Sequence, residues 1–530
     1  MSLKRTSEAF KAASDHWAKK QKKDNSVIEI NSSDSEDHQP LPTIPGKIVP
    51  SPIKLLYNPS YPENELKHVN QETVRIQDLI GSKSLVETFQ FNFNVDLPFF
   101  LTFLDSSFTN KKKKIVFITG SRLLDPEFDE TEFIKSKFNI SEVVANIPNR
   151  FGTHHSKMMI NFFENDTVEI VIMSANITRL DFGGLTQMVW RSGRLKKGST
   201  QGTKSSRFKL DLLSYLKKYN KSRIDELSSR LDEYDFSGIN VDLIASAPGS
   251  YDLNDSGRHY GYGSLYDVLK RNNLLIQNSD KEKHYNVLAQ VSAISYPFST
   301  EKWATAGIFT HLLCPLIFSK FQEFKLLQPG KDSIKTHQHE NNYTPSIVFP
   351  TVDEVAQSNV GFMAGQAIHF NYTKSFVHKN YFNQAIRPYL RKWNSSGTSI
   401  ITGREKVVPH VKLYMCDNGD DWKTLKWCYM GSHNLSKQAW GSKKGNAFKN
   451  DDPSQYEVSS YELGVLVTPE EGTLLRPSYL KDENVEEQNS TFIRMPFKLP
   501  AKTYSDKDLP WSGHVNYGEK TDTTGRTYNI

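Results

Sequence analysis

The pattern of apolar and polar positions changes near residue 78, and this change divides the chain. About the first fifty residues are polar and aperiodic and end in the proline-rich PLPTIPGKIVPSP, which predicts a disordered N-terminal tail. Further along, short runs such as FQFNFNV, KKIVFITG, KMMINFF and TVEIVIMSAN have the alternation and β-branched content of strands. The segment SSRFKLDLLSYLKKYN instead carries its apolar residues at helical spacing.

This interleaving of strands and helices predicts the fold class. Alternating strand-like and helical segments favour an α/β sandwich. The polar segment QNSDKEKHYN at 277–286 interrupts the pattern, which restarts after it. We therefore predict a mostly disordered tail and lead-in at residues 1–77, a first domain at 78–278 and a second domain at 279–530.

Composition excludes several classes of protein. Hydrophobic residues make up 37% of the 530 positions and aromatic residues 12%, as expected for a folded body. No apolar run approaches the roughly 18 residues that a membrane helix needs, so we expect a soluble protein that does not bind a membrane. Three cysteines favour a reducing, intracellular compartment. The net charge of +6 permits a nucleic-acid or phosphate partner but does not require one.

A duplicated motif carries the chemistry. Each predicted domain contains H-x-K, then two strand-like segments, then an asparagine within S-x-N. One copy is weak evidence, because a single H-x-K in a strand is usually a surface pair; two copies, one in each domain, are strong evidence. The six repeated residues are His155, Lys157 and Asn176 in the first copy and His410, Lys412 and Asn434 in the second.

The residue types of the motif indicate an anion site. Residues i and i+2 of a strand share a face, so the histidine and lysine of each copy point the same way. Two such faces together give two imidazoles, two ammoniums and two amides, which suit a phosphate better than a metal. One histidine can then attack phosphorus while the other handles protons. Zinc binding by His154, His155 and His410 is an alternative that the nearby lysines disfavour.

The second copy indicates which histidine of the HHSK segment is the candidate catalytic residue. PHVK has one histidine, two residues before its lysine, so its counterpart is His155. We expect His154 to face the other side of the strand and to be structural, hydrogen-bonded to nearby backbone or side chains.

The motifs and their surroundings resemble a known family. FGTHHSKMM, SANITRLDFGGLTQMVW, VPHVKLYM, GSHNLSKQAWG, SSYELGVLVTP and the late LPW are similar, in that order, to the tyrosyl-DNA phosphodiesterase family of the phospholipase D superfamily, in its fungal type. The resemblance implies two similar α-β-α sandwich domains related by pseudo-two-fold symmetry, with the site between them. It also implies DNA repair by hydrolysis of the 3′-phosphotyrosyl bond between DNA and a stalled topoisomerase I peptide, with no metal or other cofactor.

The resemblance assigns a role to each repeated residue. His155 is the nucleophile that forms a covalent phosphohistidine, and His410 is the general acid and base that leaves a 3′-phosphate. Lys157, Lys412, Asn176 and Asn434 hold the phosphoryl oxygens. The same resemblance places Gln187 and Glu462 as hydrogen-bonding supports of the two imidazoles, although each is also compatible with an ordinary buried residue at a strand end.

Expected partners are DNA 3′ ends, single- or double-stranded, with a covalent topoisomerase I peptide; other 3′ adducts are further candidate substrates. Phe151 is expected to stack on a base, although a core position is equally compatible with its sequence context. We expect phosphate or DNA contacts from residues around GSHNLSK, which are Ser432, Ser436, Lys437 and Gln438.

One departure and two alternative functions stay open. Lipid-cleaving members and bacterial nucleases of the superfamily place an aspartate five positions after the lysine; the first copy has Phe162 there and the second has Asp417. We interpret Asp417 as part of the turn CDNGDD. The alternative functions are a general phospholipase D-type nuclease or phospholipase, and a catalytically silent DNA-binding scaffold.

The N-terminal tail suggests targeting and a protein partner. Lys4 and Arg5, followed by four lysines between residues 19 and 23, resemble a bipartite nuclear localisation signal; a solvated basic segment is the alternative. We expect a nuclear protein, with the mitochondrion as a second location. The segment Val27–Asp37 resembles a motif that binds SUMO or a SUMOylated protein by adding a strand to its partner, although chance occurrence in a polar tail is as common.

Overall fold

The computed structural model describes residues 51–125, 127, 129–278, 281–295, 307–323, 333–443, 454–480 and 489–530. The predicted tail, with its basic clusters and Val27–Asp37, lies outside the described residues. No described helix is long and apolar enough to cross a membrane.

Two large sheets organise the body of the chain. The first has the order β1-β7-β6-β5-β2-β3-β4, with β8 added beside β6. Its strands are β1 (Ile53–Leu55), β2 (Leu85–Phe91), β3 (Lys114–Thr119), β4 (Asn139–Val144), β5 (Met158–Phe163), β6 (Thr167–Met173), β7 (Met188–Arg191) and β8 (Leu195–Lys196).

The second sheet has the order β13-β12-β11-β14-β15-β18-β9, extended by β19 and β20. Its strands are β9 (Asp242–Ser246), β11 (Tyr285–Gln290), β12 (Tyr343–Val348), β13 (Leu390–Arg391), β14 (Lys412–Asp417), β15 (Leu425–Gly431), β18 (Glu462–Val467), β19 (Leu474–Ser478) and β20 (Ser490–Arg494). A small third sheet joins β10 (Gly249–Asp252), β17 (Gln455–Val458) and β16 (Ser442–Lys443).

Helices lie between the strands. The α-helices are α1 (Glu63–Val69), α2 (Ile76–Ile80), α3 (Leu97–Leu101), α4 (Asp129–Lys137), α5 (Arg179–Gly183), α6 (Thr203–Lys217), α7 (Ser222–Leu231), α8 (Tyr262–Arg271), α9 (Cys314–Leu316), α10 (Ser333–Glu340), α11 (Val352–Ala356), α12 (Phe376–Tyr381) and α13 (Lys437–Trp440). Short 3₁₀ segments are Ser106–Asn110, Phe321–Glu323, Gly361–Ala367 and Arg387–Tyr389, and π turns are Phe309–Leu313 and Phe382–Ile386.

The two large sheets repeat one topology. Strands β4-β3-β2-β5-β6-β7-β1 correspond in position and direction to β13-β12-β11-β14-β15-β18-β9. In each sheet the first two pairings of this path are parallel and the next four are antiparallel. This repetition agrees with the predicted pair of similar α/β domains.

Apolar packing joins the two sheets into one body. Side chains such as Ile160 from the first sheet and Leu413 from the second belong to the same buried cluster. Helix α6 contributes Phe208, Leu212 and Tyr215 to this cluster, one side chain per turn on its buried face. The opposite face of the first sheet packs against α2 and α3 in a separate cluster. Helices therefore cover both faces of the first sheet.

Two strands lie outside the predicted division of the chain. Strand β1 falls within 1–77 yet pairs with β7 of the first sheet. Strand β9 falls within 78–278 yet pairs with β18 of the second sheet. Each of these strands closes the equivalent edge of its sheet, so the limits at residues 77 and 278 do not coincide with the limits of the sheets.

Candidate active site

Both H-x-K motifs lie where a central strand begins. Lys157 immediately precedes β5, and Lys412 is the first residue of β14. The histidines therefore precede the regular strands in extended chain, whereas the sequence predicted them inside the strands. In each copy the lysine ammonium donates a hydrogen bond back to the carbonyl of its own histidine, from Lys157 to His155 and from Lys412 to His410.

His155 is held by the second half of the chain. Its backbone N–H donates to the carbonyl of Tyr461 (2.9 Å), and its Nδ1 lies 2.8 Å from Oε2 of Glu462. Gly152 allows this approach, because a Cβ there would lie 2.1 Å from the carbonyl oxygen of Ser459. The predicted contact between Glu462 and an imidazole is present, and it leaves Nε2 of His155 directed elsewhere.

His410 is held by the first half. Its backbone N–H donates to the carbonyl of Thr186 (3.0 Å). Its Nδ1 lies 2.9 Å from Oδ1 of Asp181 and 2.9 Å from Nε2 of Gln187, which itself donates to Asp181 at 2.8 Å. The consistent assignment is Nδ1–H donating to the carboxylate, with the Gln187 amide holding that carboxylate in place.

Sequence reasoning missed Asp181. Its Oδ1 also accepts from the backbone of Asn176 (2.9 Å), and its Oδ2 accepts from the hydroxyl of Thr178 (2.7 Å), which caps helix α5. The available signal was the T-x-x-D pattern of a helix start, which by itself indicates a cap and no chemistry. Asp181 contacts the histidine of the other motif copy, and the chain order does not reveal that contact.

The supports of the two histidines are built alike. The hydroxyl of Ser174 accepts from the backbone of Met188 (3.0 Å) and donates to the Gln187 side chain (2.6 Å). In the second half the hydroxyl of Ser432 accepts from the backbone of Leu463 (2.9 Å). Because Ser432 is wholly buried in this position, the structure argues against the predicted contact between its hydroxyl and DNA.

The two asparagines differ. Oδ1 of Asn434 accepts from the backbone N–H groups of Ala293 (2.9 Å) and Ser292 (3.2 Å), so its NH₂ group points away from them and is available as a donor. Oδ1 of Asn176 is buried and meets no hydrogen-bond partner among the described residues. The amide of the second copy is therefore pre-oriented by backbone, and that of the first is not.

Burial and the two lysines control the charges of the site. Burial, followed by the charges of Lys157 and Lys412, lowers the pKa of His155 well below its usual 6.5. Burial and the charge of Lys412 lower the pKa of His410 to about 3. Both imidazoles are therefore neutral at pH 7 before a ligand enters.

The charged groups around the histidines are also shifted. Burial lowers the pKa of Lys157 to about 8 and that of Lys412 well below its usual value. Burial raises the pKa of Glu462. Burial also acts to raise the pKa of Asp181, but the charge of His410 and the hydrogen bonds to the carboxylate outweigh it and hold the pKa at about 2. Asp181 is therefore ionised at neutral pH.

His154 is structural, as predicted. Its ring nitrogens lie 3.1 Å from the carbonyl of Asn92 and 2.9 Å from the hydroxyl of Tyr219. Because both nitrogens are engaged away from His155, the alternative zinc set does not assemble. Within the described ranges, no group of three or more His, Cys, Asp or Glu residues could hold a metal ion.

Asp417 is the last residue of β14 and its side chain holds the turn that follows, CDNGDD, to which the sequence assigned it. Its Oδ1 accepts from the backbone of Asn286 (2.7 Å) and of Gly419 (3.1 Å), and its Oδ2 accepts from the Asn286 amide (2.8 Å) and the backbone of Trp422 (3.2 Å). The carboxylate is thus saturated with hydrogen bonds that organise the turn.

Two aromatic side chains are exposed around the site. Phe151 is 62% exposed with the guanidinium of Arg150 4.5 Å from its ring, which excludes a core position. Phe93, which sequence reasoning missed, is 47% exposed, and its ring centroid lies 5.2 Å from that of His155. Phe93 falls on the apolar side of the alternating FQFNFNV, so the sequence does not distinguish it from the buried Phe89 and Phe91.

The remaining predicted DNA contacts surround helix α13. Ser436 caps this helix, its hydroxyl accepting from the backbone of Ala439 at 3.1 Å. The side chains of Ser436, Lys437 and Gln438 are each half-buried and retain solvent access. Asn434 precedes this helix, so these groups lie near the second asparagine of the site.

A model of the tyrosyl-DNA phosphodiesterase family matches residues 52–505, most of the chain. The chain belongs to the tyrosyl-DNA phosphodiesterase family. A probable tyrosyl-DNA phosphodiesterase of Schizosaccharomyces pombe is 28% identical, covering 90% of this chain and 95% of that protein. Tyrosyl-DNA phosphodiesterase 1 of Saccharomyces cerevisiae is 26% identical, covering 85% and 82% respectively.

The fold of the family is found in solved structures. The crystal structure of the yeast tyrosyl-DNA phosphodiesterase superposes with a TM-score of 0.66 at 23% identity, covering 87% of this chain and 99% of the yeast chain. This tyrosyl-DNA phosphodiesterase therefore has the two-sheet α/β fold that the sequence predicted. It is a phosphoric diester hydrolase of DNA repair. Its two motif histidines each contact a carboxylate from the other half of the chain.

Proposed function

We propose that this enzyme hydrolyses the 3′-phosphotyrosyl bond between DNA and a stalled topoisomerase I peptide, through a covalent phosphohistidine on His155. One observation carries the proposal: each half of the chain supplies the groups that orient the other half's histidine. Glu462 contacts His155, and Asp181 with Gln187 contacts His410. Such support keeps one ring nitrogen of each imidazole protonated and the other free for chemistry.

In the first step, Nε2 of neutral His155 attacks phosphorus while the bond from phosphorus to the tyrosine oxygen breaks. The depressed pKa of His155 keeps its lone pair available, and its Nδ1–H donates to Glu462 as positive charge develops. Lys157, Lys412 and the two asparagine amides stabilise the oxygens of the five-coordinate phosphorus. Protonated His410 gives its proton to the departing tyrosine oxygen.

Substrate charge prepares His410 for this step. Without a ligand its pKa is about 3, so the acid form is scarce at neutral pH. A phosphodiester anion placed beside the imidazole opposes the charges of the lysines and raises that pKa. Phenols ionise near a pKa of about 10, far more easily than alcohols, so a tyrosine leaving group needs only modest acid assistance.

In the second step, neutral His410 takes a proton from water as the water oxygen attacks phosphorus. The bond between phosphorus and Nε2 of His155 breaks, and the products are a DNA 3′-phosphate, neutral His155 and protonated His410. The cycle returns both histidines to their starting states. No step requires a metal ion, because the lysines supply the positive charge.

We place the DNA and the peptide on the surface around the cleft. Phe151 offers an exposed ring on which a base can stack, and Lys437 with Ser436 and Gln438 offers contacts to phosphates. Phe93 beside His155 is placed to contact the substrate next to the reacting phosphorus. We propose that single-stranded ends bind directly, that duplex ends bind after local opening, and that other 3′ adducts of similar size are also processed.

The deciding experiment uses an oligonucleotide with a 3′-phosphotyrosine and EDTA in the buffer. The wild type should release tyrosine and leave a 3′-phosphate, His155→Ala should release none, and His410→Asn should accumulate a DNA–protein adduct on a denaturing gel. Asp417→Asn serves as a control that keeps the motif residues. Turnover only after addition of a divalent metal, or turnover of phospholipids or internal DNA bonds instead, would sink the proposal.

We also propose that the enzyme acts in the nucleus, with the mitochondrion as a second location, and that Val27–Asp37 binds SUMO or a SUMOylated protein. The basic clusters and the β-prone, acidic composition of these segments support this. A fluorescent fusion should lose nuclear enrichment when the four lysines between residues 19 and 23 become alanine. A peptide of residues 24–40 that fails to bind SUMO in a titration would remove the second part.

A further inference from the structure

A cavity of about 240 Å³ lies beside the second asparagine of the site and takes no part in the proposed chemistry. It is smaller than the roughly 300–1,000 Å³ of pockets for drug-sized ligands, so it suits a single flat ring system. The lining residues used below are His369, Asn371, Tyr372, Lys374, His378 and Tyr381.

Backbone hydrogen bonds connect this cavity to the site. The N–H of Leu435, the residue after Asn434, donates to the carbonyl of Ala293 (3.2 Å). The N–H of Ile294, the residue after Ala293, donates to the carbonyl of His369 (3.0 Å). The chain that orients Asn434 therefore also carries one wall of the cavity, and the two places lie within the reach of neighbouring nucleotides.

The walls are aromatic and rigid. The ring of Tyr372 packs against Phe370 and Phe382, with centroids 5.4 and 4.6 Å away. The imidazole of His378 shares a hydrogen bond with the hydroxyl of Ser375 (2.7 Å), which caps the same helix. Rings held in this way present flat faces at little entropic cost, which is the property that base-stacking sites use.

One polar atom of a residue that lines the cavity has no hydrogen-bond partner among the described residues. Oδ1 of Asn371 is buried and accepts no hydrogen bond from the described residues. A buried acceptor without a donor is costly, so a ligand that brings an N–H to this position is favoured. Exocyclic amino groups and ring N–H groups on the edges of nucleobases are donors of this kind.

The charges of the cavity separate a base from a phosphate. Burial and the charge of Lys412 lower the pKa of His369, and burial lowers that of His378, so both rings are neutral at pH 7. Neutral imidazoles attract an anion weakly but stack well on a heteroaromatic ring. Lys374 is exposed at the cavity and can contact the phosphate attached to the bound nucleoside.

We propose that this cavity holds a nucleobase of the DNA strand whose 3′ end is being processed, stacked on its aromatic walls and hydrogen-bonded to Asn371. The proposal rests on the proposed function, since the strand is positioned by the phosphoryl site. Binding of this base orders the DNA end before reaction, so it affects KM and leaves kcat unchanged. The ring is turned out of the base stack, as in enzymes that read single nucleotides.

The experiment compares 3′-phosphotyrosyl oligonucleotides with one abasic residue at the first, second, third or tenth position from the 3′ end. Base stacking of the usual strength predicts that one of the three near positions raises KM between about five-fold and a hundred-fold, while the tenth has no effect. Asn371→Ala and His369→Ala should raise KM for the intact strand and erase most of the abasic effect. Lys374→Ala should also raise KM for the intact strand, and Lys379→Ala is its matched control, because Lys379 lies on α12 but does not line the cavity.

The outcomes separate this proposal from the proposed function. If tyrosine is released and KM is the same with an abasic residue at the first, second or third position, the base pocket is overturned. The proposed reaction is not affected by that result. A KM in Asn371→Ala that changes with the length of the leaving peptide, and not with the base, assigns the cavity to the peptide and also overturns it. If no tyrosine is released, fluorescence anisotropy of intact and abasic strands on His155→Ala still decides whether the base binds. Should Asn371→Ala fail to fold, His369→Ala carries the comparison.

Discussion

Replacing Asp181 with asparagine tests whether the two halves of the site act on each other. The change keeps the size of the side chain and removes the charge that faces Nδ1 of His410 at 2.9 Å. An amide can present its NH₂ group to Nδ1, so the imidazole can be held in the wrong tautomer. The Thr178 hydroxyl can still donate to the remaining oxygen, whereas the Asn176 N–H and the Gln187 amide donate to the position that the NH₂ group would take.

The expected loss of rate follows from the contact between Asp181 and Nδ1 of His410. A hydrogen bond to a charged group contributes about 1.5–3 kcal/mol, and each 1.36 kcal/mol changes a rate about tenfold. Asp181→Asn should therefore lower kcat between about ten-fold and about 150-fold. Loss of the carboxylate also removes a charge that raises the pKa of His410, so the acid form becomes scarcer and the acidic limb of the rate profile moves to lower pH.

The second step should suffer more than the first. In the proposed mechanism tyrosine leaves with little assistance, whereas water needs His410 as a base. Single-turnover assays on a 3′-phosphotyrosyl oligonucleotide should show tyrosine release followed by slow loss of the covalent adduct. Asp96→Asn is the control, because Asp96 pairs with Arg179 on the helix of Asp181 at 3.2 Å and contacts no histidine among the described residues. Equal kinetics for wild type and Asp181→Asn, or a loss of the same size in both variants, would refute the reasoning.

Three other predictions follow from the same geometry. Glu462→Gln should slow adduct formation about ten-fold or more, since it removes the charge beside the proposed nucleophile His155, and rapid-quench gels measure this. Phe151→Ala should raise KM about five-fold or more without changing kcat, as measured by steady-state tyrosine release. His154 has a folded pKa of about 3, so its neutral form favours folding above pH 6.5 and this contribution is lost as pH falls. The free energy of unfolding, measured in urea, should fall by about 2 kcal/mol between pH 6.5 and 5 because of His154. In His154→Gln the free energy of unfolding should fall less over the same pH range.

The sequence could single out the six repeated side chains because the chain carries them twice. The paired H-x-K and S-x-N motifs marked these positions, and comparing the two copies separated His155 from His154. The structure places each motif histidine against a carboxylate from the other half of the chain. The repeated strands β5, β6, β14 and β15 could be recognised in the sequence as apolar runs, because nearly all of their residues are buried.

What could not be predicted depends on contacts between distant segments. In the sequence Asp181 has only the pattern of a residue in the first turn of a helix, because His410, which it contacts, is far away along the chain. Phe93 is likewise distant in sequence from both motifs. Strand β1 has three residues and strand β9 five, too few to display a period, and each joins a sheet whose other strands follow it in the sequence. The alternation of polarity reports which face of a strand is buried and carries no information on which sheet it enters.

Each half of the chain supplies the side chains that contact the other half's histidine, as two subunits do across the interface of a homodimer. In a symmetric dimer, one patch on each subunit would meet its own copy across a two-fold axis, and both sites of support would be chemically identical. Joining the copies releases them from that identity. Here the carboxylate beside His155 is Glu462, which is hydrogen-bonded to the Ser432 hydroxyl, while the carboxylate beside His410 is Asp181, which is held by the Gln187 amide. Such a difference allows the two histidines to take the separate roles proposed for them, and neither half, produced separately, would contain the carboxylate that contacts its own histidine.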